Sequence, residues 1–171
     1  MVNRIARTLG ALVVTLPMSL ALTTPTAQAA CSDMGTYYSI TSSSAVRIPF
    51  KNIPTFKNGP GGTMSVTKDY SGSASYQVTA GASTEVGAVL AKAKIEVSAS
   101  LTLTNSSTVT NNYSHAITKG KYGNAQYVSW GRTVNWKKYY IDAKCNTSTK
   151  ATGTIKFPAA SEGWYYWETS S

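Results

Sequence analysis

The sequence predicts an all-β protein, mainly an antiparallel sheet or sandwich with long strands rich in Ser and Thr. Ser and Thr together make up roughly a quarter of the chain after its N-terminal apolar segment, and the helix formers Glu, Leu and Gln are scarce. Several stretches alternate apolar and polar residues, which is the period of a half-buried strand. Turn signals rich in Gly, Pro and Asn separate these stretches.

The N-terminus has the features of a secretory signal peptide. Two arginines precede an apolar run at 9–22, and Ala27 and Ala29 are small residues that suit signal peptidase. The run is shorter than the roughly 20 residues that a membrane-spanning helix needs. We therefore expect a signal peptide at 1–29 and a secreted, extracellular protein. Lipidation of Cys31 is the alternative, although the usual aliphatic residue three places before it is missing.

Two cysteines remain after this cleavage, Cys31 and Cys145. An even pair in an exported protein predicts a disulfide bond more than a metal or redox site. Closing a loop of about 114 residues would stabilise the fold by roughly 4 to 5 kcal/mol in the chain-entropy model. The bond would fix an otherwise loose terminus.

The chain is basic, with 16 Lys and Arg residues against 7 Asp and Glu residues. Removal of the two signal-peptide arginines leaves 14 against 7, a net charge of +7. An anionic surface is therefore a plausible partner. The basic residues are scattered and form no nucleic-acid motif, and lysines also keep sheet edges from pairing. We expect no nucleic-acid partner.

The first part of the exported chain is predicted to be an arm followed by edge structure. The segment 32–44 is polar and contains Tyr37 and Tyr38, and two prolines follow it, which exclude a long central strand. We assign 30–58 to this N-terminal arm and edge structure. The β domain then covers 59–171, and the arm and the β domain together form a single domain.

Alternation locates the strands of the β domain. A turn at 59–62 precedes a half-buried strand at 63–67, and the clearest alternation of all runs from Ile95 to Thr104. Ten residues there would give a strand of roughly 33 Å. Further strands are predicted at Thr108–Ile117 with a break at Asn111 and Asn112, at Gln126–Ile141 and at Thr152–Phe157.

The segment from Tyr76 to Leu90 has two interpretations. Its apolar residues alternate as in a strand, which would make Tyr76–Leu103 a continuous amphipathic hairpin. Apolar residues also recur there at helical spacing behind Ser83, a residue type that favours helix starts. We predict one short helix near 84–92 and keep the hairpin as the alternative.

No motif predicts an enzyme. His115 is the single histidine and has no neighbouring carboxylate or cysteine, so neither a metal site nor a cofactor is expected. The sequence has no nucleophile elbow and no phosphate-binding glycine loop. A glycosidase-type pair remains open, because folding could bring two distant carboxylates together. The seven carboxylates are Asp33, Asp69, Glu85, Glu96, Asp142, Glu162 and Glu168.

Aromatic residues are the strongest sign of an interaction surface. Trp130 and Trp136 are expected in the core. The four adjacent aromatics at 164–167 must point to both faces of a strand, so some of them are expected near the surface or against a partner. The partner-binding candidates are Tyr37, Tyr38, Trp164, Tyr165, Tyr166 and Trp167.

Three functions fit these features. The first is a non-enzymatic subunit that docks to other secreted proteins through its arm and terminal aromatics. The second is a pore-former in which Tyr76–Leu103 becomes an amphipathic hairpin with one face toward lipid, and only this function involves a membrane. The third is a secreted carbohydrate-binding module.

Two resemblances bear on this choice. The Ser/Thr-rich alternating strands resemble aerolysin and epsilon-toxin type β proteins. The signal peptide, the turn at 59–62, the segment Ile95–Thr104, the turn at 119–123 with Trp130-Gly131-Arg132 and the late cysteine resemble the small adaptor subunit of Streptomyces umbrella toxin particles. That resemblance implies an antibacterial toxin complex in which the adaptor links a lectin-like surface-binding subunit to a large toxin-bearing scaffold subunit. We therefore predict an adaptor, with pore formation as the alternative.

Overall fold

The computed structural model describes residues 31–81, 83–110 and 112–171, and the predicted signal peptide at 1–29 lies outside them. Antiparallel strands dominate the described chain, which confirms the all-β prediction. Among the described residues, no helix is both long enough and apolar enough to cross a membrane. The elements are β1 (Gly35–Pro49), β2 (Phe56–Asn58), β3 (Gly62–Val66), β4 (Tyr70–Ser75), β5 (Gln77–Ala80), a 3-10 turn (Ser83–Glu85), α1 (Val86–Glu96), β6 (Thr104–Val109), β7 (Tyr113–Ile117), β8 (Tyr122–Ile141), β9 (Thr147–Phe157) and β10 (Glu162–Thr169).

The long strand β8 is the centre of the main sheet. It is rich in Val, Trp and Tyr, which pack well on a pleated surface. β1 and β9 pair with it on opposite sides, with Trp136 opposite both Ile40 and Gly153. β2 and β10 pair with its N-terminal part, and β5 extends the sheet beyond β9. The strand predicted at Gln126–Ile141 is therefore confirmed within a longer one.

The segment predicted as an arm and edge structure forms the strand β1. Its residues 35–49 pair with β8 along the whole strand, and β1 is the outermost strand on its side, so 35–44 is not a free arm. Cys31 and Cys145 form the predicted disulfide bond. The Cys31 N–H also donates to the Ala143 carbonyl. The start of the described chain is thus fixed to the turn between β8 and β9.

Three clusters of buried apolar side chains hold the elements together. The cluster between α1 and the main sheet contains Val86, Val89, Ala93, Leu101, Val134, Trp136, Ile155, Phe157 and Ala159. A second contains Ile48, Phe50, Ile53, Ala74 and Val109. A third contains Met64, Ile117 and Ala125. The expected core position of Trp136 is confirmed, with 1% of the residue exposed.

The strand predicted at Ile95–Thr104 is wrong. Ile95 belongs to α1, and 97–103 contains only an isolated bridge from Leu101 to Ala159. The physical reason is burial at helical spacing, because α1 places Val86, Val89 and Ala93 against the sheet. The short helix is confirmed, at Val86–Glu96 instead of 84–92. The remaining predicted strands are found in β3, β6, β7 and β9.

Candidate functional site

Strands β3, β4, β6 and β7 are two parts of one long antiparallel hairpin. β3 pairs with β7, and β4 pairs with β6 as far as Ser75 opposite Thr104. Three residues separate β3 from β4, and three also separate β6 from β7. The two ladders therefore share one register: in every opposite pair of both ladders, the two residue numbers add to 179. We call these two ladders, 62–66 with 113–117 and 70–75 with 104–109, the hairpin base.

The residues between the two base strands, 76–103, fold back onto the main sheet, and we call them the folded-back segment. The base register continues for one more step, since the Tyr76 N–H donates to the Leu103 carbonyl at 2.8 Å. The two strands then separate. β5 pairs with the edge of β9, with Gln77 opposite Lys156, and α1 packs against β1.

Apolar contacts hold the folded-back segment against the sheet. Val89 and Ala93 are fully buried and Leu101 is 1% exposed. They pack in the cluster that contains Trp136 and Phe157 of the main sheet. The folded-back segment therefore covers an apolar part of the sheet that would otherwise face water.

Two carboxylates add polar contacts between the folded-back segment and the sheet. Glu85 accepts hydrogen bonds from the Tyr38 hydroxyl and from the Lys138 ammonium, the latter at 2.8 Å. Glu96 accepts a hydrogen bond from the Ile40 N–H at 3.3 Å and pairs with Lys92 inside α1 at 2.8 Å. Each carboxylate thus has a partner on β1, next to the central strand.

These contacts change how the groups titrate. The hydrogen bonds from Lys138 and Tyr38 hold the pKa of Glu85 below its usual value. The pKa of Glu96 is also lowered, first by Lys92 and then by the Ile40 N–H despite some desolvation. Glu85 in turn raises the pKa of Tyr38 and of Lys138. The docked segment therefore favours the ionised form of both carboxylates.

The folded-back segment has the sequence of a strand pair but not the structure of one. Three large apolar side chains of its alternating pattern are exposed to solvent: Tyr76 at 39%, Ile95 at 83% and Leu103 at 41%. An alternating pattern normally buries one face, so local sequence and local structure disagree here. Such disagreements occur mostly at functional or strained positions.

Continuing the base register through the folded-back segment sorts these residues by face. Opposite residues of an antiparallel pair lie on the same face of the sheet. One face would then be almost entirely apolar, with the pairs Tyr76/Leu103, Val78/Leu101, Ala80/Ala99, Ala82/Val97 and Thr84/Ile95. The other face would be polar, with the pairs Gln77/Thr102, Thr79/Ser100, Gly81/Ser98, Ser83/Glu96 and Glu85/Lys94.

No protein-family model matches this chain, and no curated protein is significantly similar to it. The geometry of the described residues must therefore carry any functional argument.

The aromatic residues of β10 point to both faces, as the sequence predicts. Trp164 packs against Phe56, Tyr113 and Tyr127 in the body of the protein. Tyr166 lies against His115, with 3.9 Å between the ring centroids. These two partner-binding candidates serve the fold of this chain.

The other two aromatics of β10 lie on the opposite face. Tyr165 stacks on Trp167 with 5.2 Å between centroids and meets Trp130 edge to face at 6.4 Å. The Arg47 guanidinium covers the Tyr165 ring at 3.9 Å. The core position expected for Trp130 is wrong, because 40% of this residue is exposed. Trp130 lies opposite Arg47 in the pairing of β1 with β8.

The two candidates on β1 differ in their surroundings. Tyr37 is 37% exposed and stacks on Tyr139 at 5.7 Å. Tyr38 is half-buried beside Trp136 and donates its hydroxyl hydrogen to Glu85. Tyr38 thus helps to hold the folded-back segment, which sequence reasoning did not foresee.

Metal-ligating residues are dispersed in the part of the chain that the structure describes. No group of three or more His, Cys, Asp and Glu side chains there is arranged to hold a metal ion. Glu162 accepts hydrogen bonds from Asn105 and Tyr127, and Glu168 accepts them from Tyr166 and the Thr118 N–H. These carboxylates fasten β10 to its neighbours.

Proposed function

We propose that this protein acts on membranes by releasing the folded-back segment, extending its hairpin base, and assembling several such hairpins into a pore. The observation that carries this proposal is the single register of the base. Continued through 76–103, that register gathers the alternating apolar residues on one face and the polar residues on the other. A hairpin of this kind has one face for lipid and one for water.

The dimensions of the extended hairpin suit a bilayer. Its two strands would be 76–85 and 94–103, ten residues each, and a tilted strand needs about 9 to 11 residues to cross the hydrocarbon core. On the polar face, Glu85 would lie opposite Lys94, an oppositely charged cross-strand pair. The residues 86–93 would form the connection at the tip.

Release of the segment costs free energy, because it breaks contacts that the folded-back form makes. The folded-back form is therefore stable in water. Release breaks the pairing of β5 with β9, melts α1 and uncovers Trp136 and Phe157. It also removes the partners of the Glu85 and Glu96 carboxylates. Burial of the apolar hairpin face in lipid and contacts between copies would offset these losses.

A disulfide that locks β5 to β9 tests the proposal. Gln77 and Lys156 are opposite residues of an antiparallel pair, whose Cα spacing suits a disulfide. We expect wild-type protein to release dye from vesicles of phosphatidylcholine and phosphatidylglycerol. The oxidised double variant Gln77→Cys with Lys156→Cys should release none. Reduction also opens Cys31–Cys145, so it should restore release to the level of equally reduced wild-type protein.

The matched control carries its disulfide in the hairpin base. Ser71 and Thr108 are exposed opposite residues whose hydroxyl oxygens are 3.0 Å apart. A disulfide between Ser71→Cys and Thr108→Cys remains compatible with the extended hairpin, so this oxidised variant should release dye like wild type. Equal inhibition by both disulfides, or no release by oxidised wild-type protein, would refute the proposal.

The adaptor function stays a prediction, and one feature favours it as the second candidate. Among the described residues, no strand pairs with the outer edge of β1, which ends the order of the main sheet. An edge of 15 residues is long enough to accept a strand from another protein. Affinity capture from the culture supernatant of its own host tests this. A particle that contains a lectin-like protein and a much larger chain would support the adaptor, and a lone monomer would contradict it.

A further inference from the structure

A groove lies on β1 and β8, beside the aromatic residues Trp130 and Tyr165. Its volume is about 610 Å³, and its lining residues are Ala45, Val46, Arg47, Trp130, Gly131 and Arg132. This volume lies within the roughly 300 to 1,000 Å³ that is typical of small-molecule sites. Trp130 is the most exposed tryptophan of the described chain and forms one wall.

The rings beside the groove are held in place by one another. Arg47 lies over Tyr165, Tyr165 stacks on Trp167, and Trp130 meets Tyr165 edge to face. Strand pairing fixes the backbones from which these side chains project, with Arg47 opposite Trp130. A rigid aromatic surface loses little conformational entropy when a ligand binds.

Two arginines, Arg47 and Arg132, line the groove and give it a positive charge. Among the described residues, the salt bridges are Lys92–Glu96 and Lys138–Glu85, so no described carboxylate lies within 4.0 Å of Arg47 or Arg132. Each guanidinium is a planar fork of donors that matches a carboxylate or phosphate oxygen pair. The charge of the groove therefore complements an anionic ligand.

We propose that this groove binds an acidic glycan. An indole or phenol ring packs against the apolar C–H face of a sugar ring, and the arginines bind its carboxylate groups. A lipid headgroup offers the same negative charge but no sugar ring for Trp130. All lining residues belong to β1 and β8, so the groove persists whether the folded-back segment is docked or released. The proposal is independent of pore formation.

Calorimetric titration at physiological salt tests this binding. The probes are an oligogalacturonate of six sugars and the neutral maltohexaose, and vesicles containing phosphatidylglycerol are tested by sedimentation. We expect binding of the oligogalacturonate and at least roughly tenfold weaker binding of maltohexaose, because the neutral sugar forms no charge-assisted hydrogen bond. Equal binding of both sugars, or binding of vesicles alone, would overturn the proposal.

Variants connect the binding to the groove. Trp130→Ala removes the stacking surface, and Arg47→Lys keeps the charge but removes the planar fork. Each should weaken oligogalacturonate binding roughly tenfold, the factor that corresponds to 1.4 kcal/mol. Tyr37→Ala is the matched control, because Tyr37 is a similarly exposed aromatic residue of β1 outside the groove. The far-UV circular dichroism and the oligogalacturonate affinity of Tyr37→Ala should stay unchanged, and equal loss of affinity in all three variants would also overturn the proposal.

Discussion

The hairpin base and the folded-back segment have the same kind of sequence and opposite structures. Both alternate small polar residues with apolar ones. In the base, Met64, Val66 and Ala74 are buried at alternate positions of two ladders that share one register. In the folded-back segment, α1 buries Val89 and Ala93 at helical spacing instead. Alternation therefore permits a strand, and the surface available for burial decides whether one forms.

The largest predicted effect is a loss of stability in the folded-back segment that leaves the hairpin base protected. Leu101→Ala leaves a cavity under the folded-back segment and should cost about 2 to 5 kcal/mol, because Leu101 is 1% exposed. If the segment opens by itself, this loss appears as faster amide hydrogen exchange in α1, while β4 and β6 keep their protection.

Met64→Ala is the control in the base. Met64 is equally buried, so its truncation should lower the stability of the whole protein and speed exchange in both regions. Equal acceleration of α1, β4 and β6 in Leu101→Ala would show that the two regions open as one unit. The distinction between a fixed base and a releasable segment would then fail.

The next effect concerns the turn where β5 leaves β9. Gly81 has φ of +89°, and a Cβ there would lie 2.8 Å from the Thr152 carbonyl oxygen. Gly81→Ala should therefore destabilise the docked segment by at least about 1 to 2 kcal/mol. The extended hairpin puts this residue in ordinary strand geometry, so dye release from vesicles should become faster.

A glycine inside α1 gives the opposite expectation. Gly87 is exposed, and a Cβ there would meet nothing within 4 Å. Gly87→Ala should stabilise the helix by up to about 1 kcal/mol and slow dye release. Slower release in Gly81→Ala would mean that the docked form is the active one.

Acid should also favour release of the folded-back segment, with a smaller effect than the two glycine substitutions. The contacts of the docked segment lower the pKa of both Glu85 and Glu96 from its ordinary value, so protons bind more tightly to the opened form. Their contribution to docking is complete above about pH 4.5 and is lost as the pH falls through the pKa of the docked form. Exchange in α1 should quicken only in that acidic range. Replacing both residues with Gln should remove the dependence, and a wild-type response near neutral pH would contradict it.

The sequence was sufficient for the fold class, the disulfide and most strands, because composition, cysteine pairing and alternation are local signals. It was not sufficient for the site. The equal three-residue gaps, between β3 and β4 and between β6 and β7, indicate a shared register only once β3 is known to pair with β7. The contacts of Glu85 with Tyr38 and Lys138 join residues 47 and 53 positions apart, which no local pattern predicts. Trp130 is also at alternate spacing with the buried Val134 and Trp136, yet it is exposed and meets Tyr165 edge to face.

The substitution with the smallest expected effect on stability tests most directly whether the base register continues through the folded-back segment. Ile95 is 83% exposed, so Ile95→Ser should change the free energy of unfolding by less than about 0.5 kcal/mol. In the extended hairpin the same residue faces lipid, where a serine hydroxyl is costly to bury. Dye release should therefore fall while urea unfolding stays the same. Gln77→Ser is the matched control, because Gln77 is an exposed residue on the polar face, and it should leave release nearly unchanged. If the two variants behave alike, the register of the base does not continue through the folded-back segment.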